Sequence, residues 1–276
     1  DILTTANLPA TLGADAPYEN MGTIQTKGWE LAIDYRHTFK NGLHFGVTAS
    51  VAVDKTEVTK WTYNTKIPSY GATGWWDKSA YKEGMVLGDI WGLQFDRFLT
   101  EDDFNADGSL KAGLPDQTKV FPAGYQFAPG DVLYKDLDNN GEIVKQTNTN
   151  DRGDLSVLGN ALPRLQFGLN LDAAWKGFDI SMFFQGVAKR KLWAAGNQVL
   201  PGFTTGEPFY KGAEDYWTPE NTDAFYPRPM DYKQSASGNY SVNDRYLLNM
   251  AYLRLKTFTV GYSLPKVWLS KFKVQG

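Results

Sequence analysis

The chain has 276 residues with a net charge of −3, no cysteine, and 9 Trp, 15 Tyr, 16 Phe and 27 Gly. A charge this close to neutral gives no basis for nucleic-acid binding, and the absence of cysteine excludes a disulfide scaffold. There is no run of about 18 apolar residues, so no transmembrane helix is predicted. The aromatic and glycine content favours an all-β chain with long turns. Because the chain begins with Asp and carries no signal peptide, we expect a mature or internal piece of a longer protein.

Residues 1–27 are rich in Pro, Gly and Asn and are predicted to be a loop. Residues 28–54 follow as a long hairpin with a tight turn at Asn41-Gly42, a dipeptide typical of such turns. Apolar side chains take every second position, which predicts strands with one apolar and one polar face. The apolar positions are Trp29, Leu31, Ile33, Tyr35, Leu43, Phe45, Val47, Ala49, Val51 and Val53.

A second two-faced hairpin is predicted over residues 165–186, with its turn at Lys176-Gly177. A last long strand is predicted over residues 246–264. Its alternation changes phase between Leu255 and Phe258, so we expect a β-bulge near Lys256. The connecting segments 55–164 and 187–245 show little periodicity and are far longer than the ~4–6 residues of an ordinary connection.

Two architectures fit these hairpins. In a soluble sandwich the apolar face packs on a second layer, whereas in an outer-membrane barrel it faces lipid. The segregation of short turns and long connections favours the barrel, in which long loops lie outside the cell. Residues 28–54, 165–186 and 246–264 are then the membrane strands, and residues 1–27, 55–164 and 187–245 are extracellular loops. About five strands cannot close a barrel, so the chain is expected to be part of a larger one.

Four blocks of the sequence resemble consecutive blocks of the SusC/RagA-like TonB-dependent outer-membrane importers of Bacteroidetes. They are NMGTIQTKGWELAIDYR, GDVLYKDLDNNGEI, LGNALPRLQFGLNLDAAWKGFDISMFFQGVAKR and AYLRLKTFTVGYSLPK. The resemblance implies a segment of a 22-stranded antiparallel transmembrane β-barrel, with the plug domain and TonB box outside this chain. It implies import of oligosaccharides, or in some cases peptides, with a SusD-like surface lipoprotein as a lid. It also implies coupling to the TonB complex through the plug and a dimer of transporter–lid pairs.

One acidic loop has the residue types of a calcium site. Asp136, Asp138, Asn140 and Glu142 match the spacing of a calcium-binding loop, with Gly141 allowing a sharp turn. Thr147 stands where the last carboxylate ligand is expected, so Asp151 or Asp154 is predicted to complete the site. A weaker echo runs from Asp103 to Gly108. The alternative for both loops is that Asp, Asn and Gly only form turns.

Aromatic side chains in the long loops are candidates for stacking on the faces of sugars. The alternative is that they anchor the loops to each other or to the partner lipoprotein. The predicted substrate-binding residues are Trp75, Trp76, Trp193 and Trp217, and Trp91 and Tyr216 belong to the same group.

No catalytic residues are predicted. The chain has two histidines, His37 and His44, both in the first hairpin, and no cysteine nucleophile. The expected function is therefore transport rather than catalysis, with Ca²⁺ in an extracellular loop as the one predicted cofactor. A soluble or surface-anchored β-rich glycan-binding module is the alternative from a different class of protein.

Overall fold

The computed structural model describes residues 2–5, 13, 17–61, 83–145, 151–194, 196, 199–201, 210–230, 238–265 and 268, and for residues 2–5 and Met21 it describes the backbone alone. These residues form an all-β structure, as the sequence predicts. Its strands are β1 (Ile2–Thr5), β2 (Tyr18–Thr38), β3 (His44–Trp61), β4 (Asp89–Gly92), β5 (Phe95–Phe98), β6 (Val132–Tyr134), β7 (Ser156–Asn160), β8 (Leu165–Trp175), β9 (Phe178–Val187), β10 (Lys191–Leu192), β11 (Leu248–Asn249) and β12 (Tyr252–Tyr262).

The long strands form one sheet in the order β1-β2-β3-β8-β9-β12. The pairs β1–β2, β3–β8, β8–β9 and β9–β12 are antiparallel. With 21, 18, 11, 10 and 11 residues, β2, β3, β8, β9 and β12 are each longer than the ~5–6 residues typical of globular strands. Each is long enough to cross a bilayer as a tilted strand, which takes about 9–11 residues.

Both predicted turns and the predicted bulge are confirmed. The first hairpin closes through Phe39 and Leu43, whose N–H and C=O groups lie 2.8 Å apart, with Gly42 at φ +82°. In the second turn both Lys176 and Gly177 have positive φ, at +50° and +89°. In β12, Leu255 and Thr257 pair with successive residues of β9, so Lys256 is the extra residue of a bulge.

The predicted strand limits need correction at the ends remote from these turns. β2 begins at Tyr18, inside the predicted loop 1–27, and β3 continues to Trp61, inside the predicted loop 55–164. These extensions carry polar residues on both faces, and Thr26 and Thr56 hydrogen-bond through their hydroxyl oxygens at 2.9 Å. Without an apolar face they show no period-2 signal. At the other extreme, β12 begins at Tyr252 rather than at 246, because β11 is a separate short strand.

The chain divides into two compact units. The strand unit comprises residues 26–56, 162–190 and 250–276, and the loop unit comprises residues 1–25, 57–161 and 191–249. β2 and β3 contribute residues to both. Among the described residues, no helix is long and apolar enough to span a membrane.

The loop unit has hydrophobic cores of its own. One core includes Leu93, Val132, Tyr134 and Ile143, which are almost fully buried. A second core includes Ile90 and Leu200, each with no exposed surface. The described parts of the long connections are therefore a packed structure, built on the small sheets β4–β7, β5–β6 and β10–β11.

Candidate functional site

The strand unit has one continuous apolar face. The register of the sheet places Val47 opposite Leu171, Leu171 opposite Met182, and Met182 opposite Phe258. Bulky residues of this face are left largely exposed: Trp29 55%, Leu31 52%, Ile33 57%, Tyr35 56%, Phe178 59%, Leu253 66%, Phe258 59% and Val260 61%. The described part of the chain puts no protein layer over them. A soluble protein rarely exposes an apolar patch of this extent, which marks a membrane or a protein interface.

Aromatic rings gather beside the tight turns on this face. The rings of Phe178 and Tyr262 are in tilted contact with centroids 4.4 Å apart, and the indole N–H of Trp175 donates to the carbonyl of Asn41 at 3.3 Å. The ammonium group of Lys176 lies 4.4 Å from the Trp175 ring centroid. Aromatic rings and a lysine at one strand end are typical of a membrane–water interface.

The opposite, polar face of the strand unit carries carboxylates, hydroxyls and amides. The Thr48 hydroxyl donates to Asp34 at 2.6 Å, and Asp34 also pairs with Arg36 at 3.2 Å. The carboxylate of Asp172 lies directly over Gly46 of the neighbouring strand, where a Cβ atom would come within 2.5 Å of it. A side chain at Gly46 would displace the Asp172 carboxylate. The carboxylates and hydroxyls make this face suited to contact water.

In the loop unit, three carboxylates of the predicted calcium loop converge. One ligand oxygen each from Asp136, Asp138 and Asp154 lie within 4.8 Å of one another. Asp154 is fully buried and accepts hydrogen bonds from the N–H groups of Leu137 and Val144, both at 2.8 Å. Desolvation, opposed by the hydrogen bond from the Asn140 N–H and reinforced by Asp136 and Asp154, raises the pKa of Asp138. Three clustered carboxylates of this kind suit a hard divalent cation.

The cluster differs from the predicted ligand set. Glu142 forms an ion pair with Lys119 instead, so its carboxylate is already engaged. The Asn140 amide donates to Asp138 at 2.9 Å, and its carbonyl oxygen accepts from the Glu142 N–H at 2.7 Å. The structure brings Asp136 and Asp138 together with Asp154, which the sequence offered, beside Asp151, to complete the site where Thr147 lacks a carboxylate.

In the second acidic segment, from Asp103 to Gly108, the carboxylates form hydrogen bonds with nearby residues. Asp103 accepts two hydrogen bonds from the Arg97 guanidinium, at 2.6 and 2.8 Å, and one from the Thr100 N–H at 2.7 Å. Asp107 accepts from the N–H and hydroxyl of Ser109 at 3.0 and 2.6 Å. This segment is a turn held by an ion pair, so the alternative interpretation applies to it.

The predicted sugar-stacking residues are revised in part. Trp193 and Trp217 are 5% and 6% exposed, and Trp91 is 8% exposed, all within the two cores of the loop unit. A ring buried in a core has no free face for a sugar, so these residues anchor the loops. Trp75 and Trp76 lie outside the described residues. Tyr216 is 41% exposed and keeps an accessible ring.

Sequence reasoning missed the polar network that ties the loop unit together. Asp131 is fully buried and accepts hydrogen bonds from Arg228 at 2.8 Å, Tyr125 at 2.9 Å and Asn239 at 3.0 Å. Burial, together with the negative charge of Asp131, raises the pKa of Tyr125, so the phenol remains a donor. The partners are up to 108 residues from Asp131, and no local pattern marks them.

No family model matches the chain. Over its whole length the chain is 26% identical to the TonB-dependent receptor P3 of Formosa agariphila, and over 96% of its length it is 26% identical to the TonB-dependent receptor P26 of the same organism. It spans 25% and 24% of the lengths of these relatives.

Solved structures share the fold. The chain aligns over 98% of its length with the RagAB peptide transporter at a TM-score of 0.62 and 15% identity, covering 26% of that chain. It aligns equally far with the RagAB peptide importer in the open-open state, at a TM-score of 0.59, 16% identity and 25% coverage of that chain. For the RagAB peptide importer in the closed-closed state the TM-score is 0.60, the identity is 16%, and 26% of that chain is covered. Together with the two-faced strands and the relatives matched over nearly the whole chain, these findings confirm the predicted resemblance to the SusC/RagA-like TonB-dependent transporters.

Proposed function

We propose that this chain forms part of the barrel wall of a TonB-dependent importer that carries oligosaccharides across the bacterial outer membrane. The observation that carries the proposal is the uncovered apolar face of the strand unit, backed by a polar face on the same strands. An apolar band facing lipid and a polar interior are the two surfaces of an outer-membrane barrel. The similarity to TonB-dependent receptors supports energised import.

The open edges of the sheet support a larger closed barrel. Among the described strands β12 pairs with β9 alone, so its other edge has unpaired backbone groups along Tyr252–Tyr262. Such an edge is costly in lipid, at several kcal/mol for each unsatisfied group. Further strands of the same longer protein would satisfy it, and the predicted total of 22 strands remains part of this proposal.

The proposed assembly follows from the family resemblance. A SusD-like surface lipoprotein would cap the long extracellular segments, and the TonB complex would act through a plug region of the longer protein. Transporter–lid pairs would form dimers in the outer-membrane lipid. The open-open and closed-closed states described for the RagAB importer support a lid that opens and closes.

The cargo distinguishes two versions of this function. Amide and hydroxyl groups on the polar face, among them Asn170, Thr48 and Ser181, favour a cargo rich in hydroxyl groups. The alternative is an oligopeptide, which is favoured by the description of the RagAB neighbours as peptide transporters. We propose no enzymatic activity for the chain.

The decisive experiment is uptake by cells that carry the full-length transporter, a deletion strain and a strain depleted of TonB. Neutral oligosaccharides, acidic oligosaccharides and peptides are supplied separately, and uptake is measured directly. We expect TonB-dependent uptake of oligosaccharides that is lost in both mutant strains. Uptake of peptides alone would favour the alternative cargo, and unchanged growth and uptake in the deletion strain would contradict the import function.

We also propose that Asp136, Asp138 and Asp154 hold a Ca²⁺ ion that orders the acidic loop. The cluster of carboxylates and the sharp turn at Gly141, with φ +85°, support this. Removal of Ca²⁺ by a chelator should raise the rate of proteolysis within residues 136–154. Added Ca²⁺ should lower the rate again to its original value. Asp107→Asn is a matched control outside the cluster, whereas Asp138→Asn should reproduce the effect of the chelator. Equal proteolysis with and without Ca²⁺ would defeat the proposal.

A further inference from the structure

Phe183 is a phenylalanine within the otherwise polar face of the strand unit. In β9 the outward residues are Ile180, Met182 and Phe184, so Phe183 points to the opposite, polar face. It stays 37% exposed there. A large apolar residue on this face departs from the alternating pattern, and such departures are expected at functional sites.

Small residues beside Phe183 leave a hollow in the polar face. Gly168 lies opposite Gln185 and Ser50 in the register, and the small residues Ala32 and Ala52 lie on β2 and β3. A Cβ atom at Gly168 would stand 3.1 Å from the Ser50 hydroxyl and 3.5 Å from the Phe183 ring. The missing side chain therefore keeps open a cavity of about 510 Å³, called here the Phe183 niche.

The rim of the Phe183 niche is polar and has spare hydrogen-bonding capacity. Glu30, Ser50, Gln166 and Gln185 line it. None of the four side chains forms a hydrogen bond to another described residue. Amides and a hydroxyl both donate and accept, and the carboxylate accepts, which matches the paired donor and acceptor character of sugar hydroxyls.

We propose that the Phe183 niche is a subsite for one uncharged sugar unit of the cargo, with the Phe183 ring against the apolar face of the sugar. The proposal rests on the import function proposed above. Gln166 is the second residue of β8 and Gln185 lies two residues before the end of β9, so the niche is remote from the tight turns. With those turns on the periplasmic side, it lies in the outer half of the bore, where cargo enters.

The niche is poorly suited to a peptide. β3, β8 and β9 are each hydrogen-bonded on both sides, so their backbones cannot pair with an added strand. No Lys or Arg is among the lining residues, so a peptide carboxylate finds no partner there. Across the register Arg254 lies opposite Gln185, and its guanidinium lies over the Tyr252 ring at 5.1 Å.

The presence of Glu30 and the absence of Lys and Arg in the lining also disfavour binding of an acidic sugar. Glu30 is the one ionised group in the niche, and a uronate or sulfated sugar beside it would meet like charge without a compensating cation. The niche should therefore prefer neutral over acidic oligosaccharides, whatever their linkage.

The test compares two adjacent phenylalanines in the full-length transporter with its lid partner. Phe183→Leu removes the flat ring from the niche, whereas Phe184→Leu makes the same change on the apolar face. Phe183→Trp restores a flat ring. Binding and uptake are measured for neutral glucan hexaoses, hexagalacturonate and a casein digest, and the heat-modifiable folded band reports the amount of assembled barrel.

We expect Phe183→Leu to weaken neutral-oligosaccharide binding by about tenfold, since aromatic stacking contributes on that scale. Phe184→Leu and Phe183→Trp should bind within about twofold of the parent. If the Phe183→Leu and Phe184→Leu variants bind neutral hexaoses equally tightly and uptake of neutral hexaoses is unchanged, the niche proposal is wrong. The proposed import function would still hold. Uptake restricted to peptides or to hexagalacturonate also overturns the niche proposal. If no probe is taken up in a TonB-dependent way, the proposed function itself fails.

Discussion

Asp131 is a buried carboxylate whose partners come from separate parts of the loop unit. It accepts hydrogen bonds from Arg228, Tyr125 and Asn239, and from the N–H of Ala128 at 2.9 Å. Asp131→Ala leaves a largely buried guanidinium without its counter-ion, which we expect to destabilise the loop unit by about 3 kcal/mol. The measurement is the urea concentration at which the loop unit of the intact transporter becomes sensitive to protease.

The matched control for Asp131 is Asp107→Ala, which removes contacts to Ser109 alone. Its effect should stay below about 1 kcal/mol, because both hydrogen bonds that Ser109 donates are exposed and are exchanged for bonds to water. Equal shifts for the two variants would show that the Asp131 network does not hold the loop unit together.

The Asp103–Arg97 pair gives the loop unit a defined response to acid. Hydrogen bonds from Arg97, against some desolvation, lower the pKa of Asp103 from 3.8 to about 2. Because the folded-state pKa is depressed, the pair stabilises the fold above the unfolded pKa and loses its effect as pH falls from about 4 to about 2. Arg97 is 42% exposed, so the contribution is about 1–2 kcal/mol rather than the full shift.

Pepsin is active over this pH range and can report the loss. At pH 4 the Asp103→Asn variant should be cleaved near residues 97–111 about 5 to 30 times faster than the parent protein, and the ratio should approach one at pH 2. The ratio cancels the pH dependence of pepsin itself. A ratio that stays constant between pH 4 and pH 2 would exclude the ion pair as the cause.

At the scale of the strand, neighbouring residues of β8 should differ sharply in their tolerance of charge. Leu171 belongs to the apolar face and Asn170 to the polar face, and both lie near the middle of Leu165–Trp175. Leu171→Arg should cost about 2–4 kcal/mol in a bilayer, whereas Asn170→Arg should be well tolerated. The folded fraction is measured by urea titration in lipid vesicles. Similar costs for both variants would mean that both faces contact water.

The bulge in β12 predicts an unusual pair of deletions. Removing Lys256 makes Leu253, Leu255, Phe258 and Val260 alternate without interruption, so the apolar face is kept and the barrel should assemble normally. Removing Thr259 instead moves Val260 and the residues after it to the polar face, and assembly should be severely reduced. Outer-membrane levels of the heat-modifiable protein distinguish the two. Equal loss in both deletions would contradict the assignment of faces.

At the scale of the whole molecule, the apolar face predicts dependence on detergent. Exposed bulky residues such as Leu253, Phe258 and Val260 share one face, and a patch of this kind associates in water. The transporter should be monodisperse in detergent and should aggregate when the detergent is removed. Size-exclusion chromatography with light scattering measures this. A monodisperse, folded protein in plain buffer would favour the soluble glycan-binding module instead.

The sequence alone determined the strand faces, the two tight turns and the bulge at Lys256. These features depend on residues close together in the chain, because side chains of a strand alternate and a turn is set by two or three φ angles. The sequence did not predict the part of β2 before Lys27 or the part of β3 after Asp54, because polar residues on both faces leave no periodic signal.

Only the tertiary structure decided which loop residues are free to act. In the folded chain Trp193 and Trp217 are buried, and Glu142 forms an ion pair with Lys119. Asp154 lies beside Asp136 and Asp138. The Phe183 niche likewise combines two hairpins, β2–β3 and β8–β9, that are far apart in sequence. Which side chains meet across such distances depends on how the long segments close, and conformational entropy and packing over the whole unit decide that rather than any local pattern.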